Sequence, residues 1–403
     1  MARVLAWVLI VVGGVLYLAS VFWGLLLVLA GAVLYVARIA VADGRAAARS
    51  TLRSLARMIW IPAAGIVSAI VLGGLIMWAV GYNPVEAYGA LFYGGFYANW
   101  HISVLNAAPL LFTGLSVAFA FKAGLFNIGA EGQYYVGAMA ATFLGIRFGM
   151  PPLLTVPLIL VLSGAAGGAY AFLPAFLKVR TGAHEVITTM MLAHIARYLS
   201  SPFVRIMGGD PSTSDHPYVT DPIQEGAELT RFDAVLPGAY YRLHIGILIA
   251  VAVALLVYFV LYRTKLGFEI RAVGMNPDAA RAQGISVGRT LLIALMGAGL
   301  LAGLAGFNQV LGLNHKMYQN LTAGYGWGGI SVALLASGHP IGVIFTGLLW
   351  GALDAGGQYM QRALQTPSSI VEILKGIILF LIVAKYIYRS LGRRIRRLTE
   401  RRV

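Results

Sequence analysis

The sequence contains no cysteine, which excludes disulfides and a cysteine nucleophile and leaves the redox compartment open. Charge is also scarce: only 11% of the 403 residues are charged, 59% are hydrophobic, and mean hydropathy is +0.79. No soluble domain of this length could hold such a composition in solution. Alternating ten-residue strands are absent too, which argues against a membrane barrel. The reading left is an all-α multi-pass membrane protein.

What the chain has in abundance is long uncharged runs. Four of them, 58–80, 102–121, 152–177 and 290–314, reach the roughly 20 residues a helix needs to cross the hydrocarbon core. Further crossings are expected near 129–145, 184–206 and 243–263, then two short segments at 326–337 and 341–356 and a last one at 369–388. The N-terminus is apolar from Val4 to Ala40 with no polar region following a small-residue cleavage site, so it reads as retained, not as a secretory signal. At about 1.5 Å per residue one helix of that length would overshoot the bilayer. An apolar hairpin turning near Ser20 is therefore expected over 1–42.

The formal net charge of +15 is unevenly placed. The C-terminal "KYIYRSLGRRIRRLTERRV" holds eight basic residues and one acid, and residues 38–57 hold five arginines and one aspartate. The positive-inside bias puts both termini, including the tail 389–403, in the cytoplasm of a cell (inner) membrane protein. Segment 207–242 carries Asp210, Asp215, Asp221, Glu225, Glu228 and Asp233 against Arg231 and Arg242, and is expected outside. The polar loop 264–289 then falls inside. Arg45, Arg49, Arg53 and Arg57 at i, i+4 spacing suggest a basic interfacial helix over 43–57 that lies against membrane lipid. A basic tail can also bind nucleic acid, but in a chain this apolar the topological bias accounts for it, and no nucleic-acid partner is expected.

The stretch "GLFNIGAEGQYYV", 124–136, sets Asn127, Glu131 and Gln133 in an apolar run. An ionisable group at membrane depth costs at least roughly 2.5 kcal/mol, so Glu131 should face protein or a water-filled cavity. Gly124, Gly129 and Gly132 each weaken a helix by about 1 kcal/mol relative to alanine, predicting a broken or late-starting helix between Lys122 and Tyr134. Unwound backbone is tolerated at that depth where it lines a cavity. Asn127 and Gln133 can donate and accept, and Glu131 can accept from a diol, which suits a substrate rich in hydroxyls. The competing reading has Glu131 at the headgroup level or capping the next helix.

A second interrupted segment, 323–340, carries Tyr325 and Trp327, which either stack on a nucleobase or belong to an interfacial aromatic belt. Interruptions in both halves of a transporter point to a central pathway. Asp354, Glu372 and Lys375 read as internal ion pairing or helix packing. His184, Glu185, His194 and Arg197 give one span a polar face but no complete ligand set, so no metal site is expected.

The loop "GFEIRAVGMNPDAARAQGISVGRT", 267–290, has Asn276 before Pro277 and Asp278 as a helix start and Gly284 as its stop. It is either a capped connector or a handle for a soluble partner. Asp278-Ala279-Ala280, three residues, then Gly284 is similar to the Glu-Ala-Ala-x3-Gly coupling motif by which ABC-importer permeases dock into their ATPase subunits. Aspartate for glutamate is tolerable, since either acid suits a helix N-terminus. "RAVGMNPDAARAQGI", "GLSVAFAFKAGLFNIGAEGQ", "HEVITTMMLAHIA" and "GGISVALLASGHPIGVIFTGLLWGAL" resemble the nucleoside branch of the sugar and nucleoside permeases, and the likeness spans roughly 58–388.

That resemblance implies a core of about ten helices that imports nucleosides, coupled to its ATPase through Arg271, Asn276, Asp278, Ala279, Ala280 and Gly284. It implies as partners an ABC ATPase that holds the ATP and Mg, a second and shorter permease, and an external substrate-binding lipoprotein. Asp210, Asp215 and Asp221 are expected to meet that lipoprotein, because opposite charge steers encounter. No G-x-x-x-x-G-K-[ST] occurs among the six lysines, so no cofactor of the chain's own is expected. The alternatives are a permease for simple sugars or nucleobases, an enzyme on lipid-linked substrate, and a proton-coupled carrier using Glu131 and Lys375. No H-E-x-x-H motif supports the enzyme.

Overall fold

The computed structural model describes residues 67–208, 219–232, 242–367 and 369–383. The apolar hairpin expected over 1–42, the basic helix over 43–57 and the tail 389–403 lie outside the described residues, as do Asp210 and Asp215. The described chain is helical without a named strand and divides into two compact units, residues up to 100 with those from 352, and residues 101–351.

In the first unit are α1 (Val67–Ala79), α2 (Pro84–Tyr93), the second part of α12 (Pro340–Leu364) and α13 (Ser369–Val383). Asn83 starts α2 by accepting the Val85 N–H at 3.0 Å, with Pro84 at the first helical position. The Tyr88 hydroxyl donates to the Ile70 carbonyl at 2.6 Å, tying α2 to α1. Lys375 lies 2.6 Å from Asp354 and 2.7 Å from Glu372, so these three form the expected ion pairing.

The second unit contains α3 (Trp100–Lys122), α4 (Ala130–Arg147), α5 (Pro152–Thr181), α6 (Glu185–Met207), α7 (Gly246–Arg263), α8 (Lys265–Met275), α9 (Pro277–Ala282), α10 (Val287–Gln309, continued by a π turn to Asn314), α11 (Tyr325–Leu335) and the start of α12. A helix apolar on every side belongs inside, and α3 is buried over 94% of its most apolar 18-residue stretch. Helices α4, α5 and α10 meet through glycines. A Cβ on Gly137 would strike the Gly303 backbone, one on Gly167 would strike Gly299 and Gly303, and one on Gly306 would strike Ala138 and the Tyr134 carbonyl. With no hydrophobic drive between helices in lipid, such close backbone packing is what holds them together. It offsets the roughly 1 kcal/mol per glycine that helix formation costs.

Five described helices are long and apolar enough to cross a membrane: Trp100–Lys122, Pro152–Thr181, Gly246–Arg263, Val287–Asn314 and Pro340–Leu364. Four match the runs 102–121, 152–177, 243–263 and 290–314. The fifth differs from the short crossing predicted at 341–356, because nothing stops the helix before Leu364. The loop 264–289 also holds more helix than expected. Thr264 caps α8 at the Gly267 N–H (3.2 Å), and Asn276 both ends α8 and starts α9.

Residues 219–232 are stitched to the end of α10 and the start of α7. Leu229 N–H donates to Leu311 O at 2.9 Å, Ile223 N–H to His315 O at 2.8 Å and Thr220 N–H to Met317 O at 2.9 Å. Single bridges pair Val219 with Tyr318 and Arg231 with His244.

Candidate functional site

The first interruption falls where the glycines predict it. Helix α3 ends at Lys122, Gly124 adopts φ +75°, and α4 begins only at Ala130. Asn127 is fully buried in this gap and its amide is saturated: Nδ2 donates to Ser116 Oγ (3.0 Å) and to Gln133 Oε1 (2.8 Å), while Oδ1 accepts from Gln133 Nε2 and from Gly129 N–H, both at 3.1 Å. Asn127 and Gln133 therefore satisfy one another. Ser116, on α3, completes the cluster and carried no distinctive signal in the sequence.

Glu131, in the first turn of α4, is buried and points away from that cluster. One carboxylate oxygen accepts from the Thr322 hydroxyl and the other from the Gly326 N–H at 2.8 Å. Gly326 is the second residue of α11, whose N-cap, Gly324, brings no side-chain cap of its own. A carboxylate from 195 residues earlier thus supplies the cap and complements the positive end of α11. A Cβ on Gly326 would strike the Glu131 backbone and carboxylate, so only glycine lets the two approach this closely.

The second interruption is strained where the first is not. Asn320, Ala323 and Gly324 all have positive φ (60°, 47° and 77°). Tyr325 then donates from its hydroxyl to Asn106 Oδ1 at 3.0 Å, and its carbonyl lies 3.0 Å from the Thr113 hydroxyl. The partly exposed Trp327 ring lies 6.1 Å from that of His194. Asn106 Nδ2 and the Tyr134 hydroxyl are buried and make no hydrogen bond among the described residues. These are the polar groups that the sequence reading missed, because a single Asn or Tyr in an apolar run looks like ordinary helix filling.

The residues expected to couple to an ATPase divide into two kinds. Asn276, Asp278, Ala279 and Gly284 are exposed on or beside α9, whereas Ala280 is buried against the chain itself. Asn276 Oδ1 accepts from the Asp278 and Ala279 N–H groups at 3.0 and 3.1 Å, and Gly284 leaves the helix at φ +80°, a region that favours glycine. Met275, 80% exposed, adds an apolar tip that the sequence reading did not single out. Arg271 is an internal brace: its Nε donates to Leu261 O at 3.0 Å and its guanidinium sits 5.1 Å above the Tyr262 ring. Gly274 abuts the Lys122–Gly124 backbone so closely that a Cβ would collide, which joins the end of α8 to the first interruption.

Asp221 is exposed and, among the described residues, has no ion pair. Just inward, His244 accepts the Gly246 N–H on Nδ1 (3.1 Å), and His315 Nε2 sits 2.6 Å from the Arg231 guanidinium with its Nδ1 3.5 Å from Glu228. Burial, then the neighbouring His315 and Arg231, pushes His244 down to about 4. Burial lowers His315 as well, with Glu228 opposing and Arg231 reinforcing. No cluster of potential metal ligands occurs among the described residues.

A family model described as "Branched-chain amino acid transport system / permease component" matches residues 101–383. The chain is 35% identical over 332 residues to the guanosine ABC transporter permease protein NupP of Bacillus subtilis, covering 82% of this chain and 94% of that one. It is 34% identical to the nucleoside ABC transporter permease protein NupB of Lactococcus lactis subsp. cremoris (82% and 92% covered) and 32% identical to the glucose ABC transporter permease protein TsgB13 of Haloferax volcanii (81% and 88% covered). No solved structure matches. With long apolar helices, two interrupted segments joined by a carboxylate, and a family match over most of its length, the chain is a multi-pass membrane protein that belongs to this family of permease components.

Proposed function

We propose that the chain is the membrane-spanning subunit of an ATP-driven ABC importer that carries nucleosides from an external binding protein into the cytoplasm. The observation that carries this reading is the capped helix α9 held out between α7 and α10 with Met275, Asp278 and Ala279 exposed. A short rigid helix on a braced stem suits insertion into a cleft of an ATPase. Energy comes from that separate subunit, which binds the ATP and Mg. A second, shorter permease completes the assembly, as the family resemblance implies. Both termini lie in the cytoplasm, and Asp210, Asp215 and Asp221 meet the binding protein outside.

Glu131, Tyr325 and Trp327 stand at the junction of the two interruptions and line the pathway, with Asn127 and Gln133 shaping its wall. The guanosine and nucleoside transport named for two relatives supports the substrate class, and the unbonded Asn106 and Tyr134 groups supply further hydrogen-bonding capacity. A motion of α8 and α9 reaches this junction through the contact of Gly274 with Gly124.

The glucose relative favours simple sugars as the second reading. Both are tested by reconstituting the complex in proteoliposomes and measuring initial uptake of labelled guanosine and labelled glucose. ATP-dependent guanosine uptake is expected, and uptake of glucose alone would replace the first reading with the second. Ala279→Trp should abolish uptake and substrate-stimulated hydrolysis while membrane insertion stays normal. Undiminished uptake by that variant would remove α9 from coupling. Ala280 is the wrong position for this test, since its burial against the chain would confuse lost docking with lost packing.

A further inference from the structure

A cavity of about 470 Å³ lies where the end of α10 meets residues 219–231 and the start of α7, with Arg231, Arg242, Leu313, Asn314, Lys316 and Tyr318 in its lining. Among the described residues its polar lining is rich in donors and contains no carboxylate. Three of the groups are cations, and neither Arg242 nor Lys316 has an ion pair among the described residues. Asn314 Nδ2, behind this lining, is buried and has no hydrogen-bond partner among the described residues. Arg231 is held in place by a relay: its Nη2 donates to His315 Nε2 at 2.6 Å, and the other ring nitrogen faces Glu228 at 3.5 Å. The acid that balances Arg231 is thus kept one residue away from the cavity.

We propose that this cavity binds a phosphate oxyanion, independently of the substrate that the permease carries. Three cations around one space match an acceptor-only ligand with several oxygens, and an arginine fork can hold two of them at once. The volume exceeds what inorganic phosphate fills, so the group bound carries more than its phosphate. Membrane phospholipid is the source that the surroundings favour. Only three residues after Arg242 begins the face of α7 formed by Ile245, Leu248, Leu255, Leu256 and Phe259, between 39% and 59% exposed, along which acyl chains can lie. The cavity adjoins the end of one apolar span, Val287–Asn314, and the start of another, Gly246–Arg263, which is the depth of headgroups.

The test uses the full-length chain in lipid nanodiscs at constant ionic strength. Phosphatidylglycerol is titrated into phosphatidylcholine discs, and retained lipid is read by native mass spectrometry alongside thermal stability. In parallel, inorganic phosphate is titrated against chloride in phosphatidylcholine-only discs. Arg242→Gln combined with Lys316→Gln removes two cations at exposed positions, while Arg242→Lys combined with Lys316→Arg keeps the charge. The neutral pair should need roughly tenfold more phosphatidylglycerol for equal retention, as loss of charge-assisted bonds implies, and the charge-retaining pair should behave as wild type.

Retention that inorganic phosphate does not displace identifies the lipid. Stabilisation by inorganic phosphate in phosphatidylcholine-only discs, lost in the neutral pair, identifies a soluble phosphate compound. Equal response of wild type and neutral pair to both probes overturns the proposal. So does an unchanged response accompanied by slower association of an acidic external protein, which would assign the cavity to protein carboxylates. Should the neutral pair fail to purify, Lys316→Gln alone carries the same comparison, with unchanged retention again counting against the site.

Discussion

The two interruptions of the helical core solve the same problem in opposite ways. Both expose backbone and place polar side chains among apolar helices. At the first, Asn127 and Gln133 satisfy each other and Ser116, all three from neighbouring stretches of chain. At the second, α11 starts from a glycine with no side-chain cap, after two non-glycine residues at positive φ, and borrows Glu131 from the first. The first is closed on itself. The second is completed by a side chain from outside it, and a transport cycle is expected to make and break that contact.

The sharpest way to break this comparison is to remove the borrowed cap. Glu131→Ala should leave the Gly326 N–H buried and unpaired, while Asn127→Ala removes one member of a self-contained cluster. Losing a charge-assisted hydrogen bond costs roughly 1.5 to 3 kcal/mol, so uptake per assembled complex should fall about tenfold to a hundredfold in Glu131→Ala. Asn127→Ala should lower yield and melting temperature more than uptake. If instead Glu131→Ala only destabilises and transports normally, the cap is static and the distinction between the interruptions fails.

A smaller effect is expected from the contact that joins the end of α8 to the first interruption. Gly274→Val drives a side chain into the Lys122–Gly124 backbone, an overpacking that costs typically about 1 to 3 kcal/mol. Because the first interruption is hydrogen-bonded within itself, the strain should pass onward and weaken coupling. Substrate-stimulated ATP hydrolysis should fall several-fold with basal hydrolysis preserved. Unaltered stimulation would mean that α8 and the first interruption move independently.

Much of this could be read from the chain alone, and the boundary is physical. Apolar runs report burial in lipid directly, so the spans at 102–121, 152–177, 243–263 and 290–314 emerged with ends only a few residues off. Gly124 and Gly129 marked the first interruption because backbone cost is local. Helix α8 was hidden because Lys265–Met275 mixes polar and apolar residues in a way that also suits a loop, and its cap at Thr264 is modest. The destination of Glu131 could not be read, since its partners Thr322 and Gly326 lie 191 and 195 residues away. That Asn314 and Lys316 come to lie beside Arg231 and Arg242 could not be read either, since only folding joins stretches more than 70 residues apart.

The smallest predicted effect tests whether the second interruption is also the more easily loosened from outside. His315, at φ +55°, lies five residues before Asn320, and its carbonyl accepts the Ile223 N–H at 2.8 Å. Beside it His244 is 3% exposed, packed against Gly312, with Arg231, His315 and Glu228 as the charged or titratable neighbours of the pair. His244 is held neutral with a value of about 4, against 6.5 in an opened chain. A histidine lowered in this way has its full share of stability above 6.5 and loses it as pH falls from 6.5 toward 4, because only the opened state takes up the proton. At about pH 5.5 the loss from His244 alone is roughly 1.4 kcal/mol, about a tenfold gain in the opened population. Hydrogen exchange at 312–326, corrected for its intrinsic pH dependence, should therefore quicken about tenfold between pH 7.5 and 5.5. Exchange at 123–133 should not change, and His244→Gln should flatten the response at 312–326. Equal quickening at both interruptions would show that acid opens the whole unit, and that the second interruption is held no more loosely than the first.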